Sequence, residues 1–261
     1  MSAAPPTTEP WISPAEACEA ITSGDGTGVR IAVLDSGIDL THPRLSSLAL
    51  TDDIAIVSQG GRISVKEEGD SDVFGHGTAV AGIIHQIAPG ASLGSIRVLG
   101  HFKESRAAVI REGLRQAALR ANHIFQCSFG APARPKDAAL NKGCIDALNL
   151  RGNHIVAAGS NTGFQTAEWP AHFPTVLAVG SDPNGREGLF LNPTGLVEFA
   201  ARGQEDQALW PGGGTRKLFG SSFAAPRVTA LLARLLGQYP GIHPLLAKAL
   251  LRQVADPCGT A

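Results

Sequence analysis

Five apolar, strand-like runs alternate along this chain with segments of helical periodicity, and that alternation limits the fold more than any other feature. The runs cover residues 29–34, 91–99, 123–130, 153–159 and 175–180. Helices are expected over residues 14–21, 75–84, 105–122, 136–151 and 243–255, and through Val228, Leu231, Leu232 and Leu235, whose spacing buries one face. Strands this uniformly apolar are covered on both sides, and intervening helices make successive strands parallel. The expected fold is α/β: three layers, a doubly wound and mostly parallel sheet with helices on both faces. Residues 58–72 are polar and Gly-rich and read as a surface loop. With no internal repeat and no linker, residues 15–261 read as one domain behind a flexible, Pro-rich tail of residues 1–14.

Composition narrows the function classes. A chain of 261 residues that is 43% hydrophobic and 17% charged has the material for a large buried core. The net charge of −1 comes from interspersed residues, with no basic block for nucleic acid and no basic amphipathic helix for a membrane surface. No run approaches the roughly 18 apolar residues of a membrane span. The first ten residues have neither the charged nor the apolar part of a secretion signal. Cys18, Cys127, Cys144 and Cys258 are scattered, with no C-x-x-C pair and no His at metal-ligand spacing. They read as free thiols of a cytoplasmic protein, Cys127 as a core residue, and neither metal nor cofactor is expected. Gly24-Asp25-Gly26-Thr27-Gly28 precedes a strand, whereas a dinucleotide fingerprint follows one, so it is a turn.

Chemistry concentrates where elements begin or end. The first strand runs into Asp35, at the carboxyl end where open α/β sheets place their sites. His76, between Gly75 and Gly77, opens a helix of small residues. Ser221-Ser222 enters the helix through Val228, after the flexible run Pro211-Gly212-Gly213-Gly214, with Pro226 suited to a first helical turn. Taken singly, each is an ordinary cap or turn: a carboxylate turn residue, a structural histidine, a Ser N-cap. Together they supply a hydroxyl, an imidazole to take its proton and a carboxylate to hold the imidazole.

Three stretches carry a resemblance. Ala32-Val33-Leu34-Asp35-Ser36-Gly37-Ile38-Asp39, His76-Gly77-Thr78-Ala79-Val80-Ala81-Gly82 and Gly220-Ser221-Ser222-Phe223-Ala224-Ala225-Pro226 resemble the Asp, His and Ser motifs of the subtilisin-like serine peptidases, in the same order. The likeness extends from about residue 15 to 255. It implies an endopeptidase acting through an acyl-enzyme, with Asp35, His76 and Ser222 as the triad. It also implies an oxyanion donor after Ala157-Ala158-Gly159: a gapless match puts Ser160 there, a one-residue shift puts Asn161, and we take Asn161. Ser128, Phe129, Gly130, Ala157, Ala158 and Gly159 are implied to line the primary specificity pocket. Backbone pairing of an extended peptide substrate is implied near Gly100-His101-Phe102. Glu168, ahead of Trp169-Pro170, falls at the pocket floor and suggests cleavage after Arg or Lys, with Asp70 and Asp72 adding acidity nearby.

Two departures from the family bear on metals and maturation. The calcium loop of many secreted members is missing after Gly82, and Arg44 stands where they carry an Asp ligand, so no calcium site is expected there. No folding prodomain of the secreted type precedes the domain, which suits a cytosolic processing enzyme, a part of a longer protein or a processing complex. Two other functions stay open: a non-catalytic peptide-binding relative, and a peptide ligase or macrocyclase that passes the acyl group to an amine.

Overall fold

The computed structural model describes residues 12–257 apart from 70, 133–134, 163–164 and 193–194. Most of the expected tail, Asp70 and Cys258 therefore lie outside the described residues. The fold begins earlier than residue 15. Ile12 is already in the core, and Ser13 caps helix α1 (Pro14–Ser23) with a reciprocal box, Ser13 Oγ accepting from Glu16 N and the Glu16 carboxylate from Ser13 N at 2.8 Å.

The elements that follow are β1 (Arg30–Asp35), β2 (Asp53–Gln59), β3 (Arg62–Glu67), α2 (His76–Ile87), β4 (Ser92–Arg97), α3 (Ala107–Leu119), β5 (Ile124–Cys127), β6 (Ala131–Pro132), α4 (Pro135–Leu150) and β7 (His154–Ala158). Then come β8 (Glu168–Trp169), β9 (Leu177–Ser181), β10 (Leu189–Leu191), β11 (Phe199–Ala201), β12 (Gln204–Trp210), β13 (Gly214–Phe219), α5 (Ser221–Gln238), α6 (Pro244–Val254) and β14 (Asp256–Pro257). Ten strands form one sheet in the order β14-β10-β11-β9-β7-β5-β1-β4-β2-β3, antiparallel only at β2/β3 and β10/β11.

Pleating divides the apolar residues into two cores. On β1, Ile31 and Val33 join the side built on α1, α2, α5 and α6, with Val228 and Leu232 against them. Ala32 and Leu34 join the other side, with Leu114 of α3 and Phe125 and Cys127 of β5. The result is the three-layer α/β architecture expected from unbroken apolar strands.

Two hairpins were not anticipated. Residues 58–72 are not simply a loop: β2 and β3 pair around Gly60-Gly61, both at positive φ (55° and 78°), the conformation two-residue hairpin turns favour. β3 is exposed throughout and has no partner on its other side among the described residues, so it lacks the apolar signature of the inner strands. Pro211-Gly212-Gly213 is the turn of the β12/β13 hairpin rather than a free run, and Asp39 Oδ2 fastens it by accepting from Gly212 N at 2.8 Å.

Candidate active site

Asp35 ends the strand at the middle of the sheet. Its carbonyl accepts from Val98 N and Leu99 N at 2.9 and 3.0 Å, which ties it to the chain leaving β4. Its side chain is only 1% exposed, and Oδ1 accepts from Ser36 N at 2.8 Å. His76, the first residue of α2 and 3% exposed, places Nδ1 2.9 Å from both Asp35 oxygens. A carboxylate only accepts, so Nδ1 carries a proton, and in the neutral tautomer that leaves the lone pair on Nε2. The small residues of α2 permit this approach: a Cβ on Gly77 would sit 2.1 Å from the carbonyl oxygen of Gly37.

The start of α2 has a Gly N-cap, which offers no side chain to the free N–H groups. Ser36 and Asp72 provide the acceptors. Gly77 N donates to Ser36 Oγ at 3.1 Å, and Thr78 N and Oγ1 donate to Asp72 Oδ2 at 2.8 and 2.7 Å. Asp72 Oδ1 accepts from Ser36 Oγ, Phe74 N and Gly75 N at 2.7, 3.0 and 2.6 Å. Asp72 thus uses both carboxylate oxygens within the protein. Its five hydrogen bonds join the Asp35 loop to the His76 helix, and an acceptor four residues before His76 was the one available signal.

Ser222 is the second residue of α5, and the next side chain, Phe223, lies ring to ring with His76 at 5.3 Å. Ser221 is buried and committed: its Oγ donates to Gly159 O at 2.7 Å and its N to Asn161 Oδ1 at 2.8 Å. Ser222 is only partly buried, and its Oγ donates to the Ser128 carbonyl at 3.1 Å. Pro226 is not in the first turn but at the sixth helical position, where it removes the N–H that Ser222 O would accept.

Ser222 opens into a cavity of about 340 Å3. Ser128, Phe129, Gly130, Ala158, Gly159 and Glu168 line it, as do Ser160 and Asn161. Ala157 does not: on β7 it points to the opposite side from Ala158 and is fully buried with Phe125 and Ala178. Asn161 is exposed, and because its Oδ1 takes Ser221 N, the amide nitrogen is turned away from that bond. Ser160 is buried, its hydroxyl within 2.8 Å of Thr162 Oγ1 and accepting from Thr162 N. Glu168 is placed by the pairing of β8 with β6, and a Cβ on Gly130 would meet its carboxylate at 2.6 Å.

Near Gly100-His101-Phe102 the expected pairing edge is largely used up. Gly100 N donates to Glu104 O at 3.0 Å and Phe102 N to the Glu104 carboxylate at 2.8 Å. Cys127, at the end of β5, is fully buried, and burial together with the Asp35 charge pushes its thiol well above the usual range, so it stays protonated. Among the described residues no cluster of three or more His, Cys, Asp or Glu could hold a metal ion.

Comparison with known proteins places this geometry in a family. The sequence model of the Subtilase family, peptidase family S8, matches residues 26–260. Subtilisin BL and Subtilisin Savinase of Lederbergia lenta are each 30% identical over 263 residues, covering 96% of this chain and 93% of the relative. An alkaline protease of Shouchella clausii is also 30% identical over 263 residues, of which this chain spans 66% of the relative's length. Two solved structures share the fold: a cold-adapted subtilisin-like serine proteinase (TM-score 0.69, 24% identity, 88% of this chain and 82% of that one) and a psychrophilic protease (TM-score 0.74, 22% identity, 94% and 93%). The chain belongs to the subtilase family and is a serine endopeptidase.

Proposed function

We propose that Ser222 is the nucleophile, His76 the general base and then general acid, and Asp35 the group that orients and charge-balances His76. The observation that carries this is the buried Asp35–His76 pair at 2.9 Å, beside the helix that begins with Ser221-Ser222. Ser222 Oγ turns from the Ser128 carbonyl to His76 Nε2, gives up its proton and bonds to the scissile carbonyl carbon. His76 returns that proton to the leaving amine, and a water repeats the sequence to release the acyl group. The oxyanion is held by Ser222 N–H and the amide nitrogen of Asn161, which takes no part in the Ser221 N bond. Ser160 is the weaker candidate because its hydroxyl is engaged with Thr162.

The preferred residue before the scissile bond is Arg, then Lys. Glu168 lines the cavity, and among the described residues no ion pair engages its carboxylate, so an incoming guanidinium finds a charge partner in a partly desolvated space. A reducing compartment suits the chain, since Cys18, Cys127 and Cys144 are free.

A fluorophosphonate should label Ser222 in the wild type and fail on Ser222→Ala; absence of labelling at Ser222 would remove it as the nucleophile. Peptide-library cleavage tests the pocket. Glu168→Gln should lower kcat/KM for Arg substrates and spare or raise it for Leu and Phe. A wild type that already prefers Leu or Phe, unchanged by the substitution, would remove Glu168 from the pocket floor.

A further inference from the structure

Within an α-helix the carbonyl of Ser222 would accept from the residue four places on, but that residue is Pro226, which has no N–H. Ser128 Oγ fills the acceptor instead, donating to Ser222 O at 2.8 Å. A carbonyl only accepts, so the single Ser128 hydroxyl proton is committed there and its oxygen is left to receive a donor. That donor is Gln126 Nε2 at 2.7 Å. The Gln126 amide oxygen must then face the other way, toward Thr229, whose hydroxyl donates to it. Every bond of the chain Thr229 → Gln126 → Ser128 → Ser222 therefore has its direction set from the Ser222 end.

The chain runs through the core. Gln126 and Thr229 are fully buried and Ser128 nearly so. Gln126 lies in β5 with Val33 and Val156 as its register partners on either side. A primary amide in such surroundings is costly unless hydrogen-bonded, and here both its ends are used. Ser222 Oγ answers with its own bond to the Ser128 carbonyl, so the end of β5 and the start of α5 are joined in both directions.

We propose that Gln126 and Thr229 are positioning residues for the nucleophile, acting through Ser128 on the Ser222–Phe223 peptide. This rests on the assignment of Ser222 as nucleophile. During acylation Ser222 Oγ has to leave the Ser128 carbonyl for His76. The chain keeps the other connection closed meanwhile, so the side-chain direction and N–H of Ser222 hold still as its hydroxyl turns. Hydrogen bonds in series in a dry interior reinforce one another, which is why a donor as remote as Thr229 contributes. Without it the Gln126 amide is free to turn over, and Ser128 loses the donor that points its proton at Ser222.

The test uses the full chain and a fluorophosphonate as active-site titrant, with the adduct located by mass spectrometry. Per titrated site, Thr229→Val and Gln126→Leu should each lower kcat about tenfold with KM unchanged and slow fluorophosphonate labelling in parallel. The double variant should be no slower than Gln126→Leu alone, and Thr229→Ser, which keeps the donor, should recover most of the rate. Should Gln126→Leu fail to fold, the Thr229 pair decides alone. If kcat per titrated site equals wild type while only the melting temperature falls, the residues are structural and the proposal is overturned. A wild type that turns over peptides but takes the label elsewhere than Ser222 overturns the nucleophile assignment and this proposal with it.

Discussion

Two histidines are buried to almost the same degree at opposite ends of the sheet, and they differ in everything that matters chemically. His76, 3% exposed, stands at the carboxyl ends of the strands with Nδ1 against both oxygens of Asp35. His154, 2% exposed, opens β7 at the amino ends, facing a cavity of about 90 Å3. Its ring donates to the backbone at Ile242, and its Nδ1 has no hydrogen-bond partner. Burial pushes the His154 imidazole down to about 4, the Ile242 bond opposes this only in part, and the nearby His123 and His243 push it further down. A carboxylate beside a buried imidazole balances the charge of the protonated ring, as the proposed reaction cycle requires. The same ring without one is a core residue that stays neutral down to about pH 4.

The largest effect expected from this contrast is on turnover. His76→Ala should lower kcat by about 10^4-fold or more, and Asp35→Asn by about 10^4-fold through the wrong tautomer, magnitudes taken from related triads. Combining His76→Ala with Ser222→Ala should cost little beyond either alone, because the set acts as a unit. His154→Leu should leave neutral-pH kcat unchanged. Steady-state assays normalised to folded protein decide this, and a His154→Leu variant as impaired as His76→Ala would erase the distinction between the two ends.

How much of this is legible in the sequence follows from the same physics. The fold class is legible because inner strands are apolar on both faces and read as unbroken runs. The hairpins are not, because β3 has no buried face and β12 carries polar residues, so neither departs from loop composition. At the site, Asp35, His76 and Ser222 stand out because each is polar at the mouth of an apolar element. Asp72 looks like a solvated acid in a polar stretch until its donors are seen to come from Ser36, Phe74, Gly75 and Thr78. Ala157 and Ala158 are indistinguishable in type, and only the pleat assigns one to the core and the other to the cavity. Gly100 and Phe102 look like a free edge because nothing local announces that Glu104 takes their N–H groups. His154 reads as the start of a strand, and its missing partner is a property of the neighbours alone.

The second effect concerns stability and acid. The folded-state value for His154, about 4, lies below the 6.5 of an unhindered imidazole. Below pH 6.5 the unfolded chain therefore binds a proton that the folded chain refuses, and stability falls as pH drops from about 6.5 to about 4. The whole contribution is about 3 kcal/mol, fully present above that window and lost below it. Urea unfolding at successive pH values should show this slope in the wild type and a shallower one in His154→Leu. Parallel curves would mean that the His154 end opens to water before the protein unfolds, and the contrast with His76 would then rest on access rather than on partners.

The smallest effect tests what the active-site end possesses and the other end lacks, a carboxylate that gathers donors. Asp72→Asn keeps the shape but turns one acceptor oxygen into an NH2 group. If the amide oxygen stays with Ser36, Phe74 and Gly75, the N–H and hydroxyl of Thr78 face another donor. Leaving such donors unmatched near the core costs about 2 kcal/mol of stability. Activity should suffer less than structure. The first turn of α2 loosens, yet the Asp35–His76 bond itself is untouched, so kcat should fall by less than the roughly 10^2-fold that a 1 Å misplacement of a reacting group can bring. Asp72→Ala removes all five bonds and should cost more of both, in the same proportion. Unfolding curves and kcat measured on the two variants separate the possibilities: a loss of kcat with no loss of stability would make Asp72 part of the substrate site after all, and would return it to the acidic role that its hydrogen bonds argue against.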